Sequence, residues 1–396
     1  MKIIYIIAGS GLNDGVGGSN MRSVEIAKKL AKAGHEICFL STIGCYKAYK
    51  NKNIRWYLLP ASIFKKKEKY FFDRLSSYII STVSSFWIVP KLPKCDLIYT
   101  DSDYFCDVIP AILYKKTHKS LWVAMTHHKT KVTYKKPRDL IVSSATSTLQ
   151  SFAYFQFKKY ANKIFVYKSD MGQLITNHLI SIGVPSSKIE AVTNGVDLEF
   201  INSIKKEIKI YDACFIGGLR PSKGIYHIVP IWKKVVEKKK DALLIIVGGG
   251  LKDYEDELRS QINKEGLESN IKMFGAKNHD ETLNILAKSK IFFSTSNEEG
   301  WGIAISEALA FGLPVVAWDL PVYRTLFPKG VVKVPIGDVQ QFSESVLDLL
   351  ADKNNYEKVS KNSREIVSAY DWDDIAIREM GLFQTILKDQ LEEKDR

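Results

Sequence analysis

The chain has 396 residues, 45% of them apolar, and carries 57 Lys and Arg against 44 Asp and Glu, for a formal net charge of +13. This length exceeds the size at which one hydrophobic core usually stops growing, so a single small domain is excluded and two domains are expected. The charge predicts an anionic partner, which leaves nucleotide diphosphates, acidic lipid headgroups and nucleic acid open, together with a simply solvated basic surface.

Cysteine placement and apolar run lengths argue against secretion and against a membrane anchor. The longest apolar stretch, residues 78–89, is interrupted by serines and ends at Pro90, so it is too short to span a bilayer. Residues 3–7 are too few for a signal peptide and lead into a glycine loop. The cysteines are scattered without a Cys-x-x-Cys pair, which predicts reduced thiols in a cytoplasmic protein. They are Cys38, Cys45, Cys95, Cys106 and Cys214.

Apolar runs typical of strands alternate along the whole chain with amphipathic runs typical of helices. The predicted strands of the first half are residues 3–8, 35–41, 96–100, 121–126, 163–168 and 189–193. Those of the second half are residues 213–217, 243–247, 271–274, 291–294, 315–317 and 331–334. This alternation predicts an α/β protein with two doubly wound, Rossmann-like domains.

The predicted domains are residues 1–194 and 195–373. They are followed by a C-terminal segment, 374–396, whose residues 374–388 are predicted to form a helix. The polar, lysine-rich stretch 194–211 lacks a clear period and is the predicted hinge.

A glycine-rich loop follows the first predicted strand, with five glycines between residues 9 and 18 ahead of a helix that begins near Ser19. Backbone N–H groups in such a loop can face an anion. Gly9 and Gly11 match the start of a dinucleotide fingerprint, but Asp14 occupies the third glycine position, which disfavours a nicotinamide cofactor. An ordinary flexible loop is the alternative.

Two histidines, His127 and His128, end the predicted strand 121–126. Open α/β sheets bind their ligands at this edge. Either histidine there could orient a hydroxyl group or stabilise charge, and the alternative is a satisfied structural histidine.

Two glutamates, Glu299 and Glu307, bracket a strand-to-helix turn, and the helix is closed by Gly312. Gly300 and Gly302 let backbone N–H groups approach a ligand, and a helix N-terminus favours phosphate. A carboxylate accepts hydrogen bonds from two neighbouring hydroxyls, as ribose and hexose present them. The turn is therefore a predicted nucleotide-sugar site, with two surface carboxylates as the alternative.

At this turn the chain resembles the family-four retaining glycosyltransferases of GT-B architecture, whose signature is two glutamates separated by seven residues. Residues 216–224 are similar to the family's diphosphate loop and residues 193–197 to its interdomain segment. The resemblance implies two domains that face a central cleft and a last helix that crosses back to the first domain. It also implies retaining transfer of a hexose from a nucleotide-diphosphate sugar to a hydroxyl acceptor.

The resemblance assigns roles to individual residues. Glu299 would bind hydroxyls of the transferred sugar and Glu307 the ribose diol. Lys223 would neutralise the leaving diphosphate, whose charge is greatest in the transition state. The family usually has an arginine where this chain has Gly218, and Arg220 is the expected substitute, with a solvated surface residue as the alternative.

In the first domain, His128 is the expected catalytic histidine, with His127 close behind it. The other donor-binding residues are expected to contact the sugar and the phosphates largely through the backbone. They are Gly17, Gly18, Gly300, Trp301, Gly302 and Ile303.

We expect no metal ion and no other cofactor. Asp101 and Asp103 form an Asp-x-Asp triplet, which holds Mn²⁺ or Mg²⁺ in glycosyltransferases of the other major architecture. Their position beside a predicted strand instead favours a helix N-cap. The resemblance implies that basic side chains and helix N-termini take the place of metal.

Residues 62–72 join lysines to aromatic residues in the domain that carries the acceptor in family members. This composition predicts contact with an anionic membrane surface and a lipid-linked glycan acceptor, at the inner face of the membrane. The alternative is a solvated loop whose aromatic residues fold into the domain.

Two other functions stay open. A nucleotide-sugar 2-epimerase shares the architecture and would release a free sugar without an acceptor. A basic binding protein that kept the fold and lost catalysis is the second, and Gly218 is its best support. No recognisable nucleic-acid module is present in the sequence, so a nucleic-acid partner is not expected.

Overall fold

A computed structural model describes residues 1–9, 18–60, 70–130, 137–205 and 207–394. The chain divides into two compact units. The first unit contains Met1–Asn194 and Trp372–Arg396, and the second contains Gly195–Asp371. The second boundary thus falls before Trp372, whereas the sequence analysis set it before Asp374.

Each unit is built on one parallel sheet. The seven-stranded sheet of the first unit has the order β3-β2-β1-β4-β5-β6-β7 and the six-stranded sheet of the second has the order β10-β9-β8-β11-β12-β13. The first sheet contains β1 (Lys2–Ile7), β2 (Glu36–Thr42), β3 (Ile54–Leu59), β4 (Leu97–Thr100), β5 (Leu121–Met125), β6 (Lys163–Tyr167) and β7 (Ile189–Val192). The second contains β8 (Tyr211–Ile216), β9 (Leu244–Val247), β10 (Ile271–Gly275), β11 (Ser289–Ser294), β12 (Val315–Trp318) and β13 (Val331–Val334).

Helices connect the strands. They are α1 (Gly18–Lys32), α2 (Ile43–Tyr49), α3 (Tyr70–Ile88), α4 (Phe105–His118), α5 (Pro137–Tyr160), α6 (Asp170–Ser181), α7 (Leu198–Ser203), α8 (Ile225–Lys238), α9 (Lys252–Lys264), α10 (His279–Ala287), α11 (Ile303–Ala310), α12 (Pro321–Leu326), α13 (Val339–Ala351), α14 (Lys353–Val367) and α15 (Trp372–Lys394). Within the described residues, none of them combines the length and the hydropathy that a bilayer span requires.

The central strands are buried on both faces. In β1, Ile3 and Tyr5 face one core of the first unit while Ile4 and Ile6 face the other. Strands covered on both sides need apolar residues at every position, which explains why they stand out in the sequence. The edge strand β3 was missed because Arg55 and its neighbours are partly exposed and interrupt the apolar run.

The C-terminal helix α15 is part of the first unit. Its buried Glu379 forms an ion pair with the buried Arg22 of α1. Arg22 also donates from Nε to the carbonyl oxygen of Thr193 at 3.0 Å and from Nη1 to Tyr99 Oη at 2.9 Å. The guanidinium and the carboxylate are both shielded from water. Their ion pair offsets the cost of burying each charge.

The predicted hinge is partly helical. Helix α7 occupies its middle, and the Asp197 side chain caps that helix by accepting the backbone N–H of Phe200 at 2.9 Å. The short helix has too few apolar positions for a clear period, so the sequence analysis did not find it.

Candidate active site

Glycines hold three loops of the second unit close together at the carboxyl edge of its sheet. Gly224, just before α8, has a φ of +67°, and a Cβ atom there would lie 1.8 Å from the carbonyl oxygen of Thr295, after β11. Gly248, after β9, approaches the loop after β8 just as closely, since its Cβ would lie 1.9 Å from the carbonyl oxygen of Gly217. No larger residue fits these positions without moving the loops.

Hydrogen bonds then join the loop after β11 to the loop after β8. Thr295 Oγ1 donates to the carbonyl oxygen of Lys223 at 3.1 Å. The backbone N–H of Asn297 donates to the carbonyl oxygen of Ser222 at 2.9 Å, and its side-chain amide donates to that of Pro221 at 3.1 Å. The two loops therefore form one rigid support for the side chains that they carry.

Lys223 and Glu299 meet on this support although 76 residues separate them in the chain. Lys223 Nζ forms an ion pair with Glu299 Oε1, and Ser296 Oγ donates to the same oxygen at 2.8 Å. The side chains are 19% and 16% exposed, so solvent reaches both charges. An anion could replace the carboxylate at Lys223, and a pair of hydroxyls could replace the ammonium at Glu299.

Glu307 lies on the helix that follows the same loop. Helix α11 begins after Gly302, whose φ of +97° favours glycine. The Glu307 side chain is 7% exposed, and its Oε1 lies 2.7 Å from Nε2 of His279, the first residue of α10. The imidazole therefore holds this carboxylate in a fixed position.

His279 is a site residue that the sequence analysis missed. Asn278 caps α10, and Glu281 completes the capping box by accepting the Asn278 backbone N–H at 3.1 Å. The Asn-x-x-Glu spacing was a readable signal for the start of a helix. It carries no information about the direction of the histidine between them, which depends on the placement of α10 beside α11.

The other predicted residues of the turn contribute mainly backbone. The Trp301 ring is 3% exposed and packs edge-on against Phe327 and Tyr370, so it belongs to the core. Gly300 is buried and Ile303 is half-buried. Only the main chain of this segment is suited to contact a ligand.

Arg220 is exposed, and its carbonyl oxygen accepts the backbone N–H of Lys223 at 2.9 Å. Gly218 is also exposed, and a Cβ atom there would meet nothing closer than the carbonyl oxygen of Gly249 at 3.8 Å. Its φ lies outside the left-handed region. The fold therefore accepts a side chain at position 218, and the glycine is not required by the backbone.

In the first unit the structure separates the two candidate histidines. His127 is buried, and its Nε2 donates to the carbonyl oxygen of Asp101 while Nδ1 accepts from Tyr167 Oη at 3.0 Å. Burial, with the nearby charge of His128, lowers the pKa of His127 to about 3, so the ring is neutral. His128 is exposed. His127 is thus structural, and the catalytic role of His128 stays a prediction.

The N-cap interpretation of the Asp-x-Asp triplet is wrong. Helix α4 starts after Tyr104, which occupies the N-cap without a side-chain capping bond. Asp101 is buried and accepts a hydrogen bond from Ser23. Asp103 accepts hydrogen bonds from two side chains of other elements, Thr126 at 2.7 Å and Gln150 at 2.8 Å. These partners are distant in sequence, so local sequence patterns could not identify them. Hydrogen bonds to them replace the expected capping bond.

A third carboxylate of this region, Asp107, fixes the end of β1. It accepts the backbone N–H groups of Ala8 at 2.6 Å and Gly9 at 3.0 Å, and the Ser102 hydroxyl also donates to it. Burial raises the pKa of Asp107 to about 7, because the hydrogen bonds only partly offset the lost hydration. In the described part of the chain, no three His, Cys, Asp or Glu residues are grouped to hold a metal ion.

Two predictions fall on residues that the structure does not describe. Gly17 lies outside the described residues, whereas Gly18 is the first residue of α1. The lysines between residues 65 and 69 also lie outside them.

Comparison with known proteins identifies relatives of this chain. Residues 198–366 match the family model of glycosyl transferases group 1. An uncharacterized glycosyltransferase of Methanocaldococcus jannaschii is 28% identical over 244 residues, which are 57% of this chain and 56% of that protein. A phosphatidyl-myo-inositol mannosyltransferase of Mycobacterium leprae is 30% identical over 204 residues, or 49% and 53%. The chain thus spans about half the length of these curated relatives.

The fold has relatives over its whole length. The crystal structure of Anabaena HepE in complex with UDP-glucose aligns with a TM-score of 0.74 at 17% identity, covering 97% of this chain and 100% of that one. This likeness confirms the prediction of an α/β fold with two Rossmann-like domains, the GT-B architecture.

Proposed function

We propose that this chain moves a hexose from a nucleotide-diphosphate sugar to a hydroxyl acceptor, with retention at the anomeric carbon, because its residues 198–366 match the family model of glycosyl transferases group 1. The observation that carries the proposal is the partly exposed Lys223–Glu299 ion pair on the same sheet edge as the fixed Glu307. One cation and two carboxylates match the three parts of the donor, which are a diphosphate, a sugar and a ribose.

Donor binding would exchange the partners of the ion pair. Lys223 Nζ turns from Glu299 to the diphosphate, and the freed Glu299 oxygens accept hydrogen bonds from the sugar hydroxyls. Ser296 keeps its contact with Glu299 and limits the side chain's movement. Glu307 needs no such exchange, because its second oxygen remains for the ribose diol while His279 holds the first.

In the proposed reaction the bond between the anomeric carbon and the diphosphate oxygen breaks, and the acceptor oxygen bonds to that carbon on the same face. The acceptor proton passes to an oxygen of the departing phosphate. Lys223 and Arg220 stabilise the negative charge that develops on the diphosphate. Roles in donor binding for Gly17 and Gly18, and a catalytic role for His128, are also part of the proposal.

The reaction is proposed to need no metal ion, since Lys223 and the helix start after Gly302 supply positive charge to the phosphates. Activity should therefore survive an excess of EDTA. Loss of activity with recovery on addition of Mn²⁺ would contradict this and return attention to Asp101 and Asp103.

A lipid-linked glycan acceptor is part of the proposal. The Mycobacterium leprae relative is named for transfer to phosphatidyl-myo-inositol, which is a lipid. The excess of positive charge suits a protein that works at an anionic membrane surface. The enzyme would then be cytoplasmic and peripheral at the inner face of the membrane.

The proposal is tested first by thermal shift with a panel of UDP-, GDP- and ADP-sugars, because a ligand that binds only the folded state raises the melting temperature. Product analysis with the stabilising donor follows. Sugar found on an added acceptor supports transfer, whereas a free epimerised sugar identifies a 2-epimerase. No stabilisation by any donor, together with salt-sensitive binding of an oligonucleotide, would identify a basic binding protein instead.

A further inference from the structure

Helix α3 of the first unit buries a polar face and exposes an apolar face, which is the reverse of an ordinary surface helix. Its buried face carries small hydroxyl residues, which are Ser77 (4% exposed), Ser81 (0%), Thr82 (7%) and Ser85 (0%). Its exposed face carries large apolar residues, which are Ile79 (49%), Val83 (47%), Phe86 (53%) and Trp87 (65%). A helix in contact with water normally shows the opposite arrangement. We call these four apolar residues the outer face of α3.

Specific contacts fix the rotation of α3, so the outer face is not a core face turned the wrong way. Tyr78 Oη donates to the carbonyl oxygen of Gly9 at 2.7 Å, and its ring stacks on Tyr104. Ser81 Oγ donates to the carbonyl oxygen of Pro60 at 3.1 Å. Ser85 is satisfied within the helix, since its Oγ donates to the carbonyl oxygen of Thr82.

The charges that follow α3 in the chain are positive. No charged residue occurs from Leu75 to Pro90, and no acidic residue occurs between Asp73, near the start of α3, and Asp96. The first charges after the helix are Lys91 and Lys94, and both are exposed. An apolar face bordered by lysines is complementary to an acidic lipid surface, whose headgroups are anionic and whose interior is apolar.

We propose that the outer face of α3 docks onto an anionic lipid bilayer, with the helix lying in the plane of the interface. Ile79, Val83 and Phe86 enter the boundary between headgroups and acyl chains. Trp87 lies at the headgroup level, where its ring is amphipathic and its N–H finds acceptors. Lys91 and Lys94 reach the acidic headgroups.

The inference deepens the proposed function and rests on it, because a lipid-linked acceptor has to be taken from a membrane. It also places the membrane contact on the outer face of α3, whereas the sequence analysis placed it on residues 62–72. A second copy of the chain is the competing occupant. A stable protein interface uses roughly 20–30 residues a side, and a single helix face of four apolar residues falls well short of that.

The test is co-sedimentation of the full chain with vesicles of phosphatidylcholine alone and of phosphatidylcholine mixed with phosphatidylglycerol, at low salt. Wild type should pellet with the mixed vesicles. The double variant Phe86→Gln, Trp87→Gln should lose at least about tenfold in partition coefficient, since two large apolar side chains are removed from the interface. Lys91→Gln with Lys94→Gln should lose about fivefold per lysine and lose its salt sensitivity.

Exposed aromatic residues elsewhere in the first unit provide a matched control. Phe152 and Phe155 of α5 are 41% and 61% exposed, so the double variant Phe152→Gln, Phe155→Gln removes similar side chains from another helix. It should pellet like wild type. Circular dichroism and melting temperature should be unchanged in every variant, because none of the substituted side chains is buried.

Two results would overturn the docking proposal. Wild type could stay in the supernatant with both vesicle types, or the α3 variant could pellet as well as wild type. A wild-type dimer in sedimentation velocity that the α3 substitutions convert to monomer, without vesicle binding, would assign the face to self-association. Thermal shift with nucleotide sugars on the same samples separates the two proposals, since donor binding without vesicle binding refutes only the docking.

Discussion

The carboxyl edges of the two sheets use their charged residues in opposite ways. In the second unit, Lys223 and Glu299 are paired with each other, are partly exposed and lie on loops that a ligand can reach. In the first unit, Asp101 and Asp107 are buried, and backbone or hydroxyl groups of the same unit already donate to them. The first arrangement can exchange partners with a ligand, whereas the second stabilises a scaffold.

Exposure and choice of partner distinguish ligand-binding charged residues from structural ones better than their position at the end of a strand does. Burial lowers the pKa of His127 to about 3 and raises that of Asp107 to about 7, so in each case the protein favours the neutral form. A group held neutral by burial gains little from a charged ligand. A group that is ion-paired near solvent can exchange its partner for a ligand.

Lys223→Ala should have the largest effect. Because the lysine stabilises charge that is greatest in the transition state, we expect kcat/KM to fall about 10²- to 10³-fold with little change in melting temperature. The control is Lys233→Ala, which breaks an exposed ion pair with Glu265 in the same unit. Its activity should match wild type. Equal losses in both variants would mean that general electrostatics, and not contact with the leaving group, is responsible.

Glu307→Ala should come next. A hydrogen bond to a charged group contributes about 1.5–3 kcal/mol, so the free nucleoside diphosphate should bind about 10- to 100-fold more weakly in calorimetry. Glu299→Ala should leave that affinity nearly intact and lower turnover. His279→Ala should weaken the diphosphate less than Glu307→Ala, because the carboxylate remains but is no longer held. Equal nucleotide affinity in wild type and Glu307→Ala would refute the ribose assignment.

His127→Gln tests the structural side of the comparison. Between about pH 3 and pH 6.5 the unfolded chain protonates this histidine and the folded chain does not, so the free energy of unfolding rises with pH by about 1.4 kcal/mol per unit. Glutamine can still donate to Asp101 but does not titrate. The difference in urea stability between wild type and variant should therefore grow in favour of wild type from about pH 5 to about pH 6. A pH-independent difference would show that the pKa of His127 is the same in the folded and the unfolded protein.

Gly218→Arg should have the smallest effect. The position accepts a side chain without a clash, and an exposed charge contributes up to about 1 kcal/mol, so diphosphate affinity should rise no more than about fivefold. The gain should be clearest in an Arg220→Ala background if Arg220 replaces the usual arginine. No gain in either background would indicate that the side chain at 218 points away from the donor.

Local patterns predicted most of the fold, because strands buried on both faces are apolar at nearly every position. They also placed Glu299 and Glu307 on either side of the turn. Local patterns could not predict the pairing of Lys223 with Glu299. It depends on the close approach of Gly224, in the loop after β8, to Thr295, in the loop after β11. The partners of Asp101 and Asp103 come from other elements for the same reason, and the cap prediction failed there.

The ion pair between Arg22 and Glu379 has a consequence for the order of synthesis. The helix that carries Glu379 follows the whole second unit in the chain, yet it completes the core of the first. While the ribosome translates residues 195–371, the nascent first unit therefore lacks one of its helices and the counter-charge of an arginine that will be buried. The second unit can finish folding before the first, even though the first begins earlier.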